Sequence, residues 1–375
     1  MIQFNKISIT DVERRNIEEA LNSEKICGDG KFTKLCNAWF KDIFNIENFL
    51  LTTSCSHALD ISAILLNLKE GDEVLVPSYT FVSTANAIML RGAKPVFIDI
   101  DKSTMNMDVN LLEEKITSKT KAIFPVHYAG VACDMDKLMD IANKYNLKVV
   151  EDAAQGVGAF YKGKPLGSIG DFGCFSFHET KNYAMGEGGA LISKSKDDFL
   201  RAEIIREKGT DRSQYIRGAI DKYTWREIGS SYLPSDILAA LLYGQLQRFD
   251  EIMKKRMSIW ERYHEAFENL EKEGKVIRQY IPEYVKHNAH MYYLILHNEN
   301  ERNLFISKLK EKGIMAAFHY IPLHSSPVGE SLEYKKGDLP VTEEYASRLV
   351  RLPLWADMSN EDVNYIIDSV NNILR

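Results

Sequence analysis

Over roughly its first 240 residues the chain alternates short β-rich runs with amphipathic stretches of helical period, and this restricts the fold more than any other feature. EVLVP (73–77), KPVFIDI (94–100), KAIFPVH (121–127), LKVVED (147–152) and CFSFH (174–178) read as strands. SHALDISAILLNL (56–68) and DMDKLMDIANKYN (134–146) read as helices, each opened by a Ser or Asp that can cap its free N–H groups. A helical crossover returns the chain to begin the next strand in the same direction. The order therefore predicts an α/β domain with a mainly parallel sheet wrapped by helices.

Beyond Ser235 the texture changes. DILAALLYGQLQRFDEIMKKRMSIWERYHEAFENLEKEG (236–274) repeats apolar residues at three- and four-residue spacing and reads as one long helix joining two domains. HMYYLIL (290–296) then reads as a strand, and RNLFISKLKEKG (302–313) and EDVNYIIDSVNNILR (361–375) as helices. The expected division is a large α/β domain over residues 1–240, then the connecting helix and a smaller C-terminal α+β domain over residues 241–375. There is no internal repeat and no low-complexity linker.

Composition excludes several partners. A formal net charge of −6 with no Lys/Arg block argues against nucleic acid, which needs concentrated positive charge. The longest apolar runs, such as ISAILLNL (61–68), are too short to span a membrane, and MIQFNKISITDVERR lacks the apolar core of a secretory signal, so a cytoplasmic protein is expected. Cys27, Cys36, Cys55, Cys133 and Cys174 form no CxxC pair, which predicts reduced thiols. His319 and His324, in HYIPLH, match no regular metal-ligand spacing, and no metal is expected.

The chemistry concentrates in DFGCFSFHETKNYAMGEGG (171–189) and the upstream VVEDAAQGVGA (149–159). Lys181 falls between a short strand and a glycine-rich turn, and a lysine amine forms a Schiff base with an aldehyde cofactor where its surroundings keep it partly unprotonated. Most lysines are simply solvated; Ser176, His178, Asn182 and GEGG set this one apart. Asp152 ends LKVVED, at the sheet edge where open α/β folds place ligands. A carboxylate there can keep a pyridinium nitrogen protonated, although Asp before Ala-Ala also suits a helix cap.

Ser54 and Ser56 lie where a loop enters a helix, which suits a phosphate or an ordinary cap. Tyr79 and Phe81 follow a strand, placed to stack on a flat cofactor or to fill the core. Residues 206–227 read as a solvated loop whose Arg212, Arg217 and Arg226 are the best local charge for a diphosphate. GEGG has the spacing of neither a dinucleotide fingerprint nor a P-loop.

Taken in order, SCSHALD, VPSYTFVST, PVHYAG, EDAAQGVGA, GDFGCFSFHETKN, GEGGA and HYIPLH resemble the nucleotide-sugar aminotransferases of the DegT/DnrJ/EryC1/StrS family, along essentially the whole chain. The resemblance implies an aspartate-aminotransferase-like fold (fold type I) and the cofactor pyridoxal 5'-phosphate, alternating with pyridoxamine phosphate. It implies Lys181 as Schiff-base lysine and proton shuttle, Asp152 as partner of the ring nitrogen, and Gln155 at the ring face or its phenolic oxygen. Ser176, Cys55 and Ser56 would seat the phosphate and Phe81 would stack on the ring. Cys55 stands where many relatives have glycine.

Family enzymes are dimers with shared active sites, in which an asparagine of one subunit often reaches the other's phosphate; GSSYLPSD (229–236) puts Ser231 at that point. Lys181 separates the chain from dehydratase relatives, which carry histidine there. The resemblance further implies transfer of the amino group of L-glutamate to C4 of dTDP-4-keto-6-deoxy-D-glucose. The products would be dTDP-4-amino-4,6-dideoxy-D-galactose and 2-oxoglutarate. His127, Tyr128, Tyr183, His319 and Tyr320 are expected to line the sugar site, with Arg212 near its diphosphate. An equatorial C4 product, a C3 reaction and another nucleotide remain open. A non-catalytic cofactor-binding regulator would need an effector or DNA-binding module, for which no segment is spare.

Overall fold

In the computed structural model, which describes residues 1–375, the alternating runs assemble into one seven-stranded sheet. Its strands are β1 (Phe49–Thr52), β2 (Glu73–Pro77), β3 (Lys94–Ile98), β4 (Thr120–Ile123), β5 (Lys148–Asp152), β8 (Phe172–Ser176) and β9 (Gly189–Ser193). A hairpin of β6 (Phe160–Tyr161) and β7 (Lys164–Pro165) sits between β5 and β8 in the chain. The spatial order is β1-β9-β8-β5-β4-β2-β3. Only β9 runs against its neighbours. It follows β8 after a short loop with no crossover helix, so antiparallel pairing is the geometry available to it.

Helices α1 (Asp11–Leu21), α2 (Lys31–Phe44), α3 (Cys55–Leu65) and α4 (Val82–Met89) belong to this domain. Thr10 and Glu13 start α1 with a reciprocal capping box. Both sheet faces are covered, which is why the strands read as nearly continuous apolar runs. Consecutive residues go to opposite faces: Val149, Phe175 and Ile192 join one core with Phe32 and Phe40, while Val150, Cys174 and Leu191 join the other with Leu59 and Ile88.

The stretch expected as one long helix is three: Asp236–Gln247, Phe249–Ala266 and Glu268–Lys272. Arg248 (φ −106°, ψ 19°) and Phe267 (φ −100°, ψ 7°) leave helical geometry between them. The first helix packs in the large domain, through Ala239, Ala240, Leu242 and Leu246, and its Asp236 carboxylate accepts from the N–H groups of Phe32 (3.0 Å) and Thr33 (2.8 Å) that open α2. The second contributes Ile259, Trp260 and Tyr263 to a separate core, so the axis must turn. It turns at Arg248, whose guanidinium is held by the buried Glu13 (2.9 Å) and by Glu251 (3.1 Å). A boundary after residue 240 therefore falls inside a large-domain helix, and the changeover lies near Arg248.

The smaller domain contains β10 (Ile277–Arg278), β11 (Val285–Lys286), β12 (Tyr292–Ile295) and β13 (Leu349–Leu352). Strands β10, β12 and β13 form an antiparallel sheet against helices Phe249–Ala266, Glu299–Glu311 and Asn360–Leu374, whereas β11 pairs back onto β6. The first residues of the chain also belong here: Ile2 N–H donates to Gly313 O (2.7 Å), and Phe4 O accepts from Leu354 N–H (3.4 Å). An N-terminal segment counted with the large domain thus reaches the other one.

Candidate active site

A cavity of about 690 Å³ opens where the ends of β5 and β8 and the starts of α3 and α4 converge, and His290, His319, Tyr320 and Arg351 of the smaller domain form its far wall. This is the carboxyl edge of the parallel strands, the ligand position of open α/β folds.

Asp152, the last residue of β5, lines the cavity and is only 5% exposed. Thr84 Oγ1 donates to its Oδ2 (2.7 Å) and Ala154 N–H to its Oδ1 (3.1 Å). Burial pushes the carboxyl above its ordinary value, and these hydrogen bonds offset only part of that. No lysine or arginine hydrogen-bonds to it, so a cation brought against it from outside the chain would be strongly favoured.

Lys181 faces the same cavity from the loop between β8 and β9. That loop is pinned rather than mobile. Phe177 N–H donates to Gly188 O (2.9 Å), Met185 N–H to Phe177 O (2.8 Å) and Lys181 N–H to His178 O (2.9 Å). The neighbouring Asn182 ties the loop to the smaller domain, donating to Asn288 O (2.8 Å) and accepting from His290 Nδ1 (2.9 Å). Burial lowers the pKa of the Lys181 ammonium, against the pull of Cys55 and Asp152 and with the repulsion of Arg351. More of the amine is therefore free to act as a nucleophile near neutral pH than on an exposed lysine.

Two helix N-termini supply an anion seat. Ser54 caps α3, its Oγ accepting from His57 N–H (3.1 Å), and Ser56 Oγ meets Ser83 Oγ of α4 at 2.6 Å. First-turn N–H groups have no intrahelical acceptor, and the helix dipole favours a negative charge beside them. The close approach depends on Gly189, where a Cβ would stand 2.3 Å from Cys55 N. Ser176, at the end of β8, and Cys55 complete this side of the cavity. Phe81, 57% exposed at the start of α4, offers an aromatic face. Gln155 lines the opposite side with its amide held at both ends, by Ala129 N–H (2.6 Å) and Tyr320 Oη (3.3 Å). A free amine, a buried carboxylate short of a cation and an anion seat fit the aldehyde, the ring nitrogen and the phosphate of pyridoxal phosphate.

Of the expected sugar-site residues, His319 and Tyr320 line the cavity and the others do not. His127 is fully buried, accepting from Cys133 N–H at Nδ1 (3.3 Å) and donating from Nε2 to Glu151 (2.8 Å), which makes it part of the scaffold. Tyr183 stacks on Phe249 with ring centroids 4.6 Å apart, filling the core. Tyr128 stands behind the wall, its hydroxyl meeting His319 Nδ1 at 3.0 Å. Arg212 is exposed, away from its own chain's cavity, and pairs with Glu207 (3.5 Å). Arg217 is likewise committed, in a fork to Glu203 at 2.6 and 2.7 Å. Ser231 is exposed and lies outside the cavity of its own chain. His324 is tied to Ser78 (2.7 Å) and Glu343 (2.8 Å), apart from His319.

Several site residues escaped the reading of the sequence. Thr84 fixes Asp152, and the run VPSYTFVST held that hydroxyl one helical turn after Phe81. Phe4 and Asn5 close one side of the cavity, Asn5 donating to Glu179 O (3.1 Å). His290 and Arg351 come from distant segments with no local signal.

A fold with a mostly parallel central sheet, and a site with a lysine, a buried aspartate and an anion seat at its carboxyl edge, define a pyridoxal-phosphate-dependent aminotransferase of fold type I. The chain belongs to the DegT/DnrJ/EryC1/StrS aminotransferase family, whose sequence profile matches residues 8–371. It is 34% identical over 344 residues to the spore coat polysaccharide biosynthesis protein SpsC of Bacillus subtilis (90% of this chain, 88% of SpsC). It is 32% identical over 365 residues to GDP-perosamine synthase of Escherichia coli O157:H7 (97% and 96%). Among solved structures it is similar to Spr1654 of Streptococcus pneumoniae, assigned as a sugar aminotransferase. The PLP form has a TM-score of 0.92 at 29% identity, covering 100% of this chain and 98% of Spr1654; the PMP form has a TM-score of 0.93. The protein is a sugar aminotransferase that uses pyridoxal phosphate and pyridoxamine phosphate, taking an amino donor and a sugar. No helix is long and apolar enough to cross a membrane.

Proposed function

We propose that this enzyme moves the amino group of L-glutamate to C4 of dTDP-4-keto-6-deoxy-D-glucose, giving dTDP-4-amino-4,6-dideoxy-D-galactose and 2-oxoglutarate. One observation carries the chemistry: a lysine with a lowered pKa and a buried carboxylate lacking a cation share one cavity, whose volume of about 690 Å³ leaves space for a sugar beside the cofactor. The choice of sugar rests on the run from SFHETKN through GSSYL, which resembles the transaminase making this aminosugar for enterobacterial common antigen.

Bound in this cavity, pyridoxal phosphate supplies an aldehyde that accepts the amine and a protonated ring that withdraws electrons from the reacting carbon. Asp152 would hold the proton on the ring nitrogen, a partner that would favour its ionised form. Ser56, Ser176 and the first N–H groups of α3 would hold the phosphate, and Phe81 and Gln155 would flank the ring. Lys181 Nζ removes the proton from the α-carbon of L-glutamate and, in the second half of the cycle, delivers one to C4 of the sugar. His319 and Tyr320 flank the sugar. The exposed apolar side chains of the 212–232 segment, with Trp225 at 78% exposure, suit burial against a second copy. The active form is a homodimer in which Ser231 and Arg212 serve the partner's site, and its place is the cytoplasm, which suits free thiols.

The 32% identity to GDP-perosamine synthase favours a second reading, a GDP-linked sugar with the same chemistry. Incubation with L-glutamate and each keto sugar nucleotide, followed by NMR of the product, separates them. Consumption of the dTDP sugar, with small proton couplings at C4 from an axial amine, is expected. Large couplings would mean the equatorial product, turnover of the GDP sugar alone would establish the second reading, and turnover of neither would sink both.

A further inference from the structure

Ser78 directly follows β2, and His324 lies in the turn Leu323–Ser325 of the smaller domain; both are fully buried, and neither lines the cavity. Glu343, on the helix Pro340–Arg348, accepts at Oε1 from Gly337 N–H (2.6 Å) and meets His324 Nε2 at 2.8 Å. Burial works against ionisation of this carboxyl, but its hydrogen bonds to His324 and Gly337 hold it below its ordinary value. A carboxylate only accepts, so Nε2 carries the imidazole proton and Nδ1 of the neutral ring is bare. Ser78 Oγ, 2.7 Å away, therefore donates its proton to Nδ1 while accepting from His324 N–H (3.1 Å). The chain runs one way, from a serine of the large domain through an imidazole to a carboxylate of the smaller one.

The neighbouring Tyr79, also buried, donates its hydroxyl proton to His319 O, and Leu323 N–H donates to Ser78 O (3.0 Å). Two consecutive residues of the large domain thus hold both ends of the segment 319–324. Between those ends His319 and Tyr320 line the cavity, and Ile321, 65% exposed, is too open to fix the loop by packing. We propose that the Ser78–His324–Glu343 chain positions His319 and Tyr320 against the keto sugar, which makes His324 a positioning residue of the sugar half-reaction. The inference rests on the reading of His319 and Tyr320 as neighbours of the sugar and adds to it what holds them in place. A hydrogen-bonded chain in a dry interior is stiff, because an unmet partner is costly there. Misplacing a group at the site by about 1 Å costs on the order of 10²-fold in rate, so the stiffness of a buried joint is felt at the substrate.

The test measures the two half-reactions separately in the cofactor-loaded enzyme, from the absorbance change on adding L-glutamate and then the keto sugar nucleotide. His324→Leu should lower the second-order rate constant of the sugar half-reaction about thirtyfold, with the L-glutamate half-reaction changed less than about threefold. Glutamine offers one acceptor and one donor, so His324→Gln should bring the sugar half-reaction back to within about fivefold of the parent enzyme. Ser78→Ala removes the hydroxyl and leaves the imidazole on Glu343; it should fall between the two, and it carries the same comparison if His324→Leu does not fold. Equal losses in both half-reactions, unchanged sugar kinetics in His324→Leu or no recovery in His324→Gln would overturn the proposal. Amide hydrogen exchange over residues 317–324, read without substrate, should rise about tenfold in His324→Leu and return in His324→Gln, and the absence of a rise would also overturn it. Exchange needs no turnover, so a protein that shows this rise and recovery but aminates no keto sugar would defeat the proposed function alone.

Discussion

Glu151 and Asp152 are consecutive on β5 and both buried, and strand alternation turns them to opposite faces of the sheet. Glu151 accepts from the N–H groups of Gly167 (2.9 Å), Ile169 (2.6 Å) and Gly170 (2.7 Å) and from His127 Nε2 (2.8 Å), so its capacity is met within the chain. Asp152 accepts only from a threonine hydroxyl and one N–H and hydrogen-bonds to no cation, and burial raises its pKa. A buried carboxylate with a full set of donors is a joint in the scaffold. One left short of a charge partner, beside a cavity, marks where a ligand supplies it.

The largest effect expected is on chemistry from the Asp152 face. Lys181→Ala should lower turnover on the order of 10⁴-fold in a protein that still folds, and retained steady-state activity would remove Lys181 from the mechanism. Asp152→Asn should lower turnover by about 10³-fold, again in a folded protein. Glu151→Gln should do the reverse: a loss of about 3 kcal/mol in denaturant unfolding, because an amide cannot accept from all its donors, with turnover of the folded fraction kept within a few-fold. If Glu151→Gln abolished turnover without loss of stability, the distinction between the two faces would fail. Thr84→Val, which strips one donor from Asp152, should weaken cofactor retention by about tenfold, read by titration of the apoprotein.

The smallest effect is in the pH dependence of the cofactor-free protein. Asp152 has a folded pKa above its unfolded value, so the folded state holds the proton more tightly and stability falls as pH rises from the ordinary aspartate range through the raised value. Lys181 has a folded pKa below its unfolded value, so its contribution is fully present above the ordinary lysine pKa and is lost as pH falls through the lowered one. Asp152→Asn should flatten the acid slope and Lys181→Met the alkaline one. Slopes that persist unchanged in these variants would assign them to other groups.

The parts of the site that were readable in advance are those where chemistry and local structure coincide. Asp152 and Ser176 end strands, Ser54 begins a helix and Lys181 sits in a turn between strands, so strand ends and caps announced them. The far wall was not readable in that way. Arg351 lies in RLVRLPL, a strand-like run in which an arginine has no local distinction, and it reaches the cavity that Lys181 lines only through tertiary packing. His127 and Tyr183 were misplaced for a related reason: closeness in sequence to site residues does not decide which way a side chain faces, and theirs face the scaffold and the core. The break at Arg248 was hidden because helical periodicity continues across it, and the ion pair with Glu13 that holds the bend is made by a residue 235 positions away in the chain.

The most direct test of the shared cavity is to load the protein with pyridoxal phosphate, reduce it with borohydride and map the modified peptide by mass spectrometry. The cofactor mass should be on Lys181, and the absorbance of the loaded protein before reduction should be bleached by L-glutamate. Modification of a different lysine, with Lys181 left free, would contradict the assignment of this cavity as the active site.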